Sequence, residues 1–460
     1  MIGYAALLAT LALAFHLIRK DIREREGVSH AIWLPTLWAF VLLSRPLSMW
    51  LNFGGGESSL EGSPLDRLFY FGIILASIAI VARRNVSFGK VFAENWPITL
   101  FYLYFLMSVT WAPESFVSFK RWFKEVGNIF VALVILSEAN PQQAIRAVFV
   151  RCAFLLLPLS IIFLRYFPEL GRRYLRGGGL EVIGVTTQKN SLGVLVLICG
   201  LVLIWDWFER TKPGAKPRTK LDRYLPFLLL SIGVYLLYLC DSKTSWLCLI
   251  IGGGMLAASR LPIFRQRVSA LGFLFIAGII SFFVLDSVFE IKAAFLALLG
   301  RDATLTGRTD VWRELLALKT DPMIGTGFCM IWSDYNLLSR LPDYVGKSAH
   351  NGYLEIYIDG GYIGLCFLGL MLLGIALKIR RHLTTADDYA LFRFATFIAM
   401  IIGNLSESHW GRMAPMGFFF LLTGIGFVDR RQTVSFVRPL QSKTRVDDSG
   451  GERGAIPVRP

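Results

Sequence analysis

Ser191-Leu192-Gly193-Val194-Leu195-Val196-Leu197-Ile198-Cys199-Gly200-Leu201-Val202-Leu203-Ile204 is fourteen residues without a charge, inside an apolar stretch covering about 190–208. A helix rises about 1.5 Å per residue, so roughly 20 such residues cross a hydrocarbon core about 30 Å thick. The stretch reads as a membrane span. Similar runs fall near 3–18, 31–50, 68–82, 97–112, 119–137, 147–165, 224–240, 245–259, 268–289, 352–377, 391–408 and 413–428. With 54% hydrophobic and only 18% charged residues in 460, the chain leaves no room for a separate soluble domain. The expected architecture is an all-α polytopic membrane helix bundle of about 12–13 transmembrane helices, a single domain over 1–428. A large periplasmic loop with short helices is expected at 290–350, and a disordered cytoplasmic tail at 429–460.

The N-terminal run, Met1 to Ile18, has no basic n-region and no small-residue cleavage site, so it is expected to be the first span. The net charge of +15 sits in short clusters between apolar runs, the pattern of the positive-inside rule, and gives no reason to expect nucleic acid as a partner. One set of alternate loops, with the tail, holds 29 Lys and Arg and the other 18. The richer set is expected in the cytoplasm, which puts the N-terminus outside. The outward cations concentrate at 165–189 and 290–350, with a smaller group at Lys120, Arg121 and Lys124. They read either as solvated charge on long translocated loops, which the rule exempts, or as the wall of a basic cavity for an anionic substrate. The six cysteines form no CxxC or CxxH spacing, so neither a zinc site nor a disulfide framework is indicated.

The polar stretch beginning at Gly307 carries the densest chemistry. His350 stands at the outer mouth of the span that starts near Asn351. A histidine can take a proton from a hydroxyl at neutral pH, and a helix N-terminus favours the neutral ring that a base requires; a structural histidine tied to the helix end with Asn351 is the alternative. Arg308 and Asp310 precede an amphipathic stretch, Val311-Trp312-Arg313-Glu314-Leu315-Leu316, expected as a helix on the membrane surface. Arg308 could face an oxyanion through its two parallel donors, or simply pair with Asp310. Lys189 and Asn190, at the mouth of the 190–208 span, offer donors at the depth of His350, although a lysine there can also be a snorkelling anchor. Arg121, Lys124 and Arg412 fall at that depth too. Arg45, Glu355, Asp359 and Glu407 lie within expected spans, where a charge is costly and marks a functional candidate. Glu355 and Asp359, four apart, share a helix face.

Several chemistries find no support. Gly346-Lys347-Ser348 imitates the end of a P-loop, but the required upstream glycine position is Leu341, so ATP binding is not indicated. There is no HExxH, GxSxG or Asp-x-Asp, and no metal or other cofactor is expected.

Taken together, Gly307-Arg308-Thr309-Asp310-Val311-Trp312, Pro322-Met323-Ile324-Gly325-Thr326-Gly327, Ala349-His350-Asn351-Gly352-Tyr353-Leu354-Glu355, Gln188-Lys189-Asn190-Ser191-Leu192-Gly193 and Ser44-Arg45-Pro46 resemble the O-antigen ligase and polysaccharide polymerase superfamily. The resemblance is specific mainly over 184–193 and 306–365. It implies a metal-independent, inverting glycosyltransferase at the outer face of the bacterial inner membrane. The implied donor is a glycan on undecaprenyl diphosphate, and the acceptor a sugar hydroxyl on a growing glycan or a lipid A-core. His350 would be the base and Arg308 and Lys189 diphosphate-binding cations, with Arg121 and Arg412 added from their depth. Asn351, Asp310, Glu355, Asn190 and Arg45 would support them. Polysaccharide chain-length or export proteins are expected partners. The segments lean toward an exopolysaccharide polymerase over a ligase. The rival class is a transporter or flippase of lipid-linked oligosaccharides, with His350, Glu355 and Asp359 as a proton relay.

Overall fold

The computed structural model describes residues 1–52, 63–174, 179–212, 214, 219–261, 308–346, 348–383 and 388–426. The expected span at 268–289, residues 290–307 of the expected loop, Lys347 and the expected tail at 429–460 lie outside the described residues. Seventeen α-helices are present among those described. The long ones are α1 (Ile2–Glu24), α4 (Pro64–Arg83), α7 (Ser115–Leu136), α8 (Pro141–Tyr166), α10 (Lys189–Thr211), α11 (Lys220–Cys240) and α15 (Gly352–Leu383). Shorter apolar helices are α2 (Trp33–Leu43), α6 (Trp96–Met107), α12 (Lys243–Ala258), α16 (Asp388–Gly403) and α17 (Pro415–Ile425). The small elements are α3 (Leu47–Trp50), α5 (Phe88–Glu94), α9 (Pro168–Gly171), α13 (Arg308–Ala317) and α14 (Tyr335–Leu338), with an antiparallel pair β1 (Arg172–Tyr174) and β2 (Leu180–Val182).

Six helices (α1, α4, α8, α10, α11 and α15) are long and apolar enough to cross a membrane. Each expected span within the described residues coincides with a helix or part of one, so the chain is a multi-pass membrane protein. Two spans differ from expectation. The run 31–50 breaks after Leu43, because Pro46 lacks an N–H and Arg45 turns away to bond four carbonyls elsewhere. The run 391–408 stops at Gly403, and residues 404–408 form a loop.

α8 and α10 are apolar nearly all round, and they form the buried centre. α10 packs on α11, α12 and α8, while α1 lies outermost against α8 with only Ala14 and Asp21 buried. The exposed side of α1 is Leu8, Leu11, Leu13 and Phe15, a surface suited to lipid.

Among the described residues, the loops gather at two ends of the bundle. At one end Arg45 bonds Val185, Ser118 bonds Phe328, Thr244 bonds Ser406 and Asn190 bonds Glu407. At the other, Asp21 sits between Arg25 (2.5 Å) and Arg151 (2.8 Å), and Asp206 between Arg25 (3.2 Å) and Arg210 (2.6 Å), all buried. These ion pairs tie α1, α8 and α10 together at that end. Removing one partner of such a pair leaves a buried charge uncompensated, at a cost of about 3–5 kcal/mol.

α15 is broken at Gly361 (φ 62°, ψ −162°). The Pro322–Gly327 segment is threaded across the break. Tyr362 N donates to Pro322 O at 2.9 Å and Ile363 N to Met323 O at 3.2 Å, while Ile358 O and Asp359 O accept from Thr326 N and Gly327 N at 2.9 Å. A broken helix frees backbone groups that lipid cannot satisfy, and here the threaded strand satisfies them. A Cβ on Gly361 would lie 2.2 Å from Met323 C, and one on Gly325 2.5 Å from Asp359 C. The Pro-x-x-Gly-x-Gly and Asp-Gly-Gly segments are therefore the two halves of one close backbone contact.

Candidate functional site

His350 holds a left-handed backbone (φ 47°) just ahead of α15. Its neighbours fix it from several elements. Asn351 Oδ1 caps the helix by accepting from Tyr353 N (3.0 Å) and Leu354 N (3.1 Å), a contact worth about 1 kcal/mol. Glu355, one turn on, reaches back so that its Oε1 accepts from Ala349 N at 2.9 Å. Trp312 of α13 donates to Ala349 O at 2.8 Å, and Gly352 N donates to Asn404 O and Glu407 O.

Glu407, in the loop between α16 and α17, gathers the site. Its Oε1 accepts from Asn190 Nδ2 at 2.7 Å and Arg308 Nη2 at 2.9 Å, and its Oε2 faces His350 Nδ1 at 3.4 Å. Arg308 also donates to Ser406 O, so both branches of the guanidinium are set against one short loop. Burial pushes the Glu407 carboxyl up, but the His350 contact and the charge of Arg308 outweigh it and hold it below its usual value. The sequence marks Glu407 only as a costly acid in an expected span; nothing local names its partners. His409, two residues on, is buried beneath the loop, and burial pushes it down to about 4 against the opposing pull of Glu407. It packs as a neutral ring beside Gly403.

Lys189 opens α10 next to Asn190, and its ammonium makes no hydrogen bond or ion pair with another described residue. Lys243, which the sequence reading passed over, opens α12 at the same end and pairs with Asp241 at 2.7 Å, while the next residue, Thr244, contacts Ser406 at 2.6 Å. Arg45 does not face this cluster. Its guanidinium donates to the carbonyls of Leu170, Gly184, Val185 and Thr186 at 2.9–3.1 Å, fixing the turn that leads into Lys189 and Asn190. Asp310 lies apart as well. It pairs with exposed Arg313 at 3.0 Å, so the alternative of an Arg308–Asp310 pair is replaced by Arg308–Glu407.

Arg121 and Arg412 stand in a separate cavity of about 220 Å³ that also involves Lys124, Glu125, Cys329 and Trp332. Arg121 Nη1 donates to Cys329 O at 2.5 Å, and Arg412 Nε faces Glu355 Oε2 at 2.7 Å. The expected cations thus divide into two groups, joined by Glu355, which meets Ala349 N with one oxygen and Arg412 with the other. Asp359, a turn further, accepts from Cys329 N at 3.1 Å. Among the described residues no three His, Cys, Asp or Glu side chains converge as metal ligands.

A cluster of fixed cations beside a histidine and a carboxylate can bind an oxyanion and move a proton at one place. The family described as O-Antigen ligase matches residues 225–369, which include Arg308, His350 and Glu355. The chain is also 22% identical over 344 residues, 66% of its own length and 69% of the relative's, to the "Exopolysaccharide production protein ExoQ" of Rhizobium meliloti (strain 1021). These likenesses are carried on a multi-pass bundle with a basic site at one end of it, and over residues 225–369 the chain is similar to the O-antigen ligase family.

Proposed function

We propose that the protein transfers or polymerises a glycan from undecaprenyl diphosphate onto a sugar hydroxyl, without a metal and with inversion at the anomeric carbon. The observation that carries this reading is His350 Nδ1 against Glu407 Oε2, with Arg308 on the same carboxylate. A carboxylate on Nδ1 favours the tautomer whose proton lies there, which leaves the Nε2 lone pair for a substrate hydroxyl. The 3.4 Å separation is long for a hydrogen bond, and such contacts tighten when substrate binds. The acceptor oxygen attacks the anomeric carbon and its proton passes to His350. The bond from that carbon to the diphosphate oxygen breaks, and its electron pair leaves with undecaprenyl diphosphate. Arg308 and Lys189 meet the charge that develops on the leaving group.

The site end faces the periplasm in this reading. The N-terminus is periplasmic, the C-terminus is cytoplasmic and the bilayer is the bacterial inner membrane, as the distribution of Lys and Arg suggests. The acceptor is a glycan or a lipid A-core, with a lean to exopolysaccharide polymerisation supported by the likeness to an exopolysaccharide production protein. Chain-length or export proteins would work beside it. A proton-relay transporter is favoured less. Glu355 and Asp359 accept from backbone N–H groups at Ala349 and Cys329, and no acid follows Asp359 in α15 to carry a proton deeper.

The test is to give the purified protein an undecaprenyl-diphosphate oligosaccharide with candidate acceptors and measure release of undecaprenyl diphosphate. Normal turnover in His350→Ala removes the base assignment. Donor crossing vesicle membranes with no glycan transfer replaces the transferase with a flippase.

A further inference from the structure

We propose that Arg412 and Glu355 are positioning residues behind His350, forming a relay in which Arg412 acts on the turn that carries the base and not on the diphosphate of the donor. This rests on the transferase reading above. It gives Arg412 a role in the reaction without contact to the substrate.

His350 holds its left-handed backbone at φ 47°, a conformation that a non-glycine residue keeps only where the surroundings impose it. Ala349 is where they do so. Its N–H donates to Glu355 Oε1 at 2.9 Å, its carbonyl accepts from Trp312 Nε1 at 2.8 Å, and the residue is fully buried. Glu355 is only 1% exposed, and its Oε2 accepts no hydrogen bond from a described residue. The charge that compensates this oxygen is that of Arg412, whose Nε lies 2.7 Å away. A buried carboxylate deprived of its cation turns toward another donor or toward water, and the hold on Ala349 goes with it.

Arg412 is itself fixed from both sides. Gly411 and Met413 have φ of 69° and 53°, and each is tied to a different element: Gly411 O accepts from Cys329 Sγ, and Met413 N donates to Glu125 Oε2 at 2.6 Å. The guanidinium carbon lies 5.6 Å over the ring of Trp332, which shares a small apolar cluster with Ala349. Arg412 therefore reaches the turn by charge through Glu355 and by packing through Trp332. Its Nε is set against the buried acid, and its Nη2 is buried with no hydrogen-bond partner among the described residues. No pair of adjacent nitrogens is left open for the two-donor grip by which arginine holds phosphate.

Kinetics separate positioning from binding. Transfer from an undecaprenyl-diphosphate oligosaccharide is measured for the intact protein, for Glu355→Gln, for Arg412→Gln and for the double variant. Glu355→Gln keeps an acceptor for Ala349 N and removes the charge. Each single variant is expected to lower kcat by about 10–100-fold, the effect of a small misplacement of a reacting group, with KM for the donor unchanged. The double variant should lose no more than either one, and in a His350→Ala background neither substitution should lower kcat further, because residues that act as a unit are not additive. A raised KM for the donor in Arg412→Gln, or multiplied losses in the double variant or in His350→Ala, overturns the relay and returns Arg412 to the diphosphate. Where Arg412→Gln alone fails to fold, with Glu355 left unpaired, the double variant, which buries no lone charge, is compared with Glu355→Gln instead.

A second measurement needs no turnover. Modification of His350 by diethyl pyrocarbonate is followed on its peptide by mass spectrometry, with the exposed His30 as internal control. The His350 ring, 38% accessible in the intact protein, should react several-fold faster in Glu355→Gln and in the double variant, with His30 unchanged. An unaltered His350 rate overturns the relay whatever the activity. A faster His350 rate with no glycan transfer by the intact protein overturns the transferase reading alone.

Discussion

His350 and Glu407 face each other across 3.4 Å, ring nitrogen to carboxylate, while the other oxygen of Glu407 holds Arg308 at 2.9 Å. The acid therefore orients the proposed base and a proposed phosphate-binding cation together. His350→Ala is expected to lower kcat by about 10²–10⁴-fold, the usual range for a general base. Glu407→Gln keeps an acceptor for Arg308 and Asn190 but removes the charge, and should lower kcat/KM by about 10–100-fold, as loss of an orienting partner does. Steady-state transfer assays on the two variants check both values.

Acid should loosen the loop between α16 and α17. His409 is held at about 4 when folded and titrates near about 6.5 when unfolded. Its contribution is complete above the unfolded value and is lost as pH falls from about 6.5 toward 4, on the order of 3 kcal/mol in all. Glu407, depressed below its usual value of about 4.3, adds a further loss as pH falls below that point through its folded value. Thermal unfolding between pH 7 and pH 3.5 should show this slope, and His409→Gln should flatten the upper part of it. An unchanged slope in that variant would place the acid sensitivity elsewhere.

The break in α15 gives a paired glycine test. Gly361→Ala adds a Cβ that would lie 2.2 Å from Met323 C at a φ of 62°, whereas Gly369→Ala meets nothing within 4 Å. The first should cost about 3 kcal/mol or more, or prevent accumulation of folded protein. The second should be neutral or stabilise slightly by helix propensity. Yield of monodisperse protein and its unfolding temperature distinguish the two.

Arg45 should behave as a positioning residue. Arg45→Lys offers a compact ammonium where a planar fork now serves four carbonyls at 2.9–3.1 Å. Each lost charged hydrogen bond contributes about 1.5–3 kcal/mol. The variant should be less stable and show a raised KM for donor, with kcat little changed. A fall in kcat alone would instead place Arg45 at the reacting atoms.

Sidedness follows from two exposed positions at opposite ends, Asp241 and Glu94, whose side chains are 65% and 59% accessible. In a chain with the exposed Cys366 changed to Ser, Asp241→Cys should react with an impermeant maleimide added outside intact spheroplasts. Glu94→Cys should react only after lysis. The reverse pattern inverts the proposed topology.

The sequence by itself determined the membrane class and the positions of most helices among the described residues, because hydropathy and the spacing of charges are local properties of the chain. It also brought forward His350 and Arg308, since their flanking residues are short readable segments, and Asn351, whose cap reaches only three residues along. The course of Arg45 was less legible: a charge in an apolar run announces a role, but its four carbonyl partners lie 125–141 residues away. Tertiary structure alone decided that Glu407 joins residues 57, 99 and 217 positions distant, that Asp310 turns away, and that the cations fall into two groups around Glu355. A carboxylate in an expected span shows that burying a charge must be offset by a partner; which cation supplies it depends on how the helices pack, and no local pattern contains that.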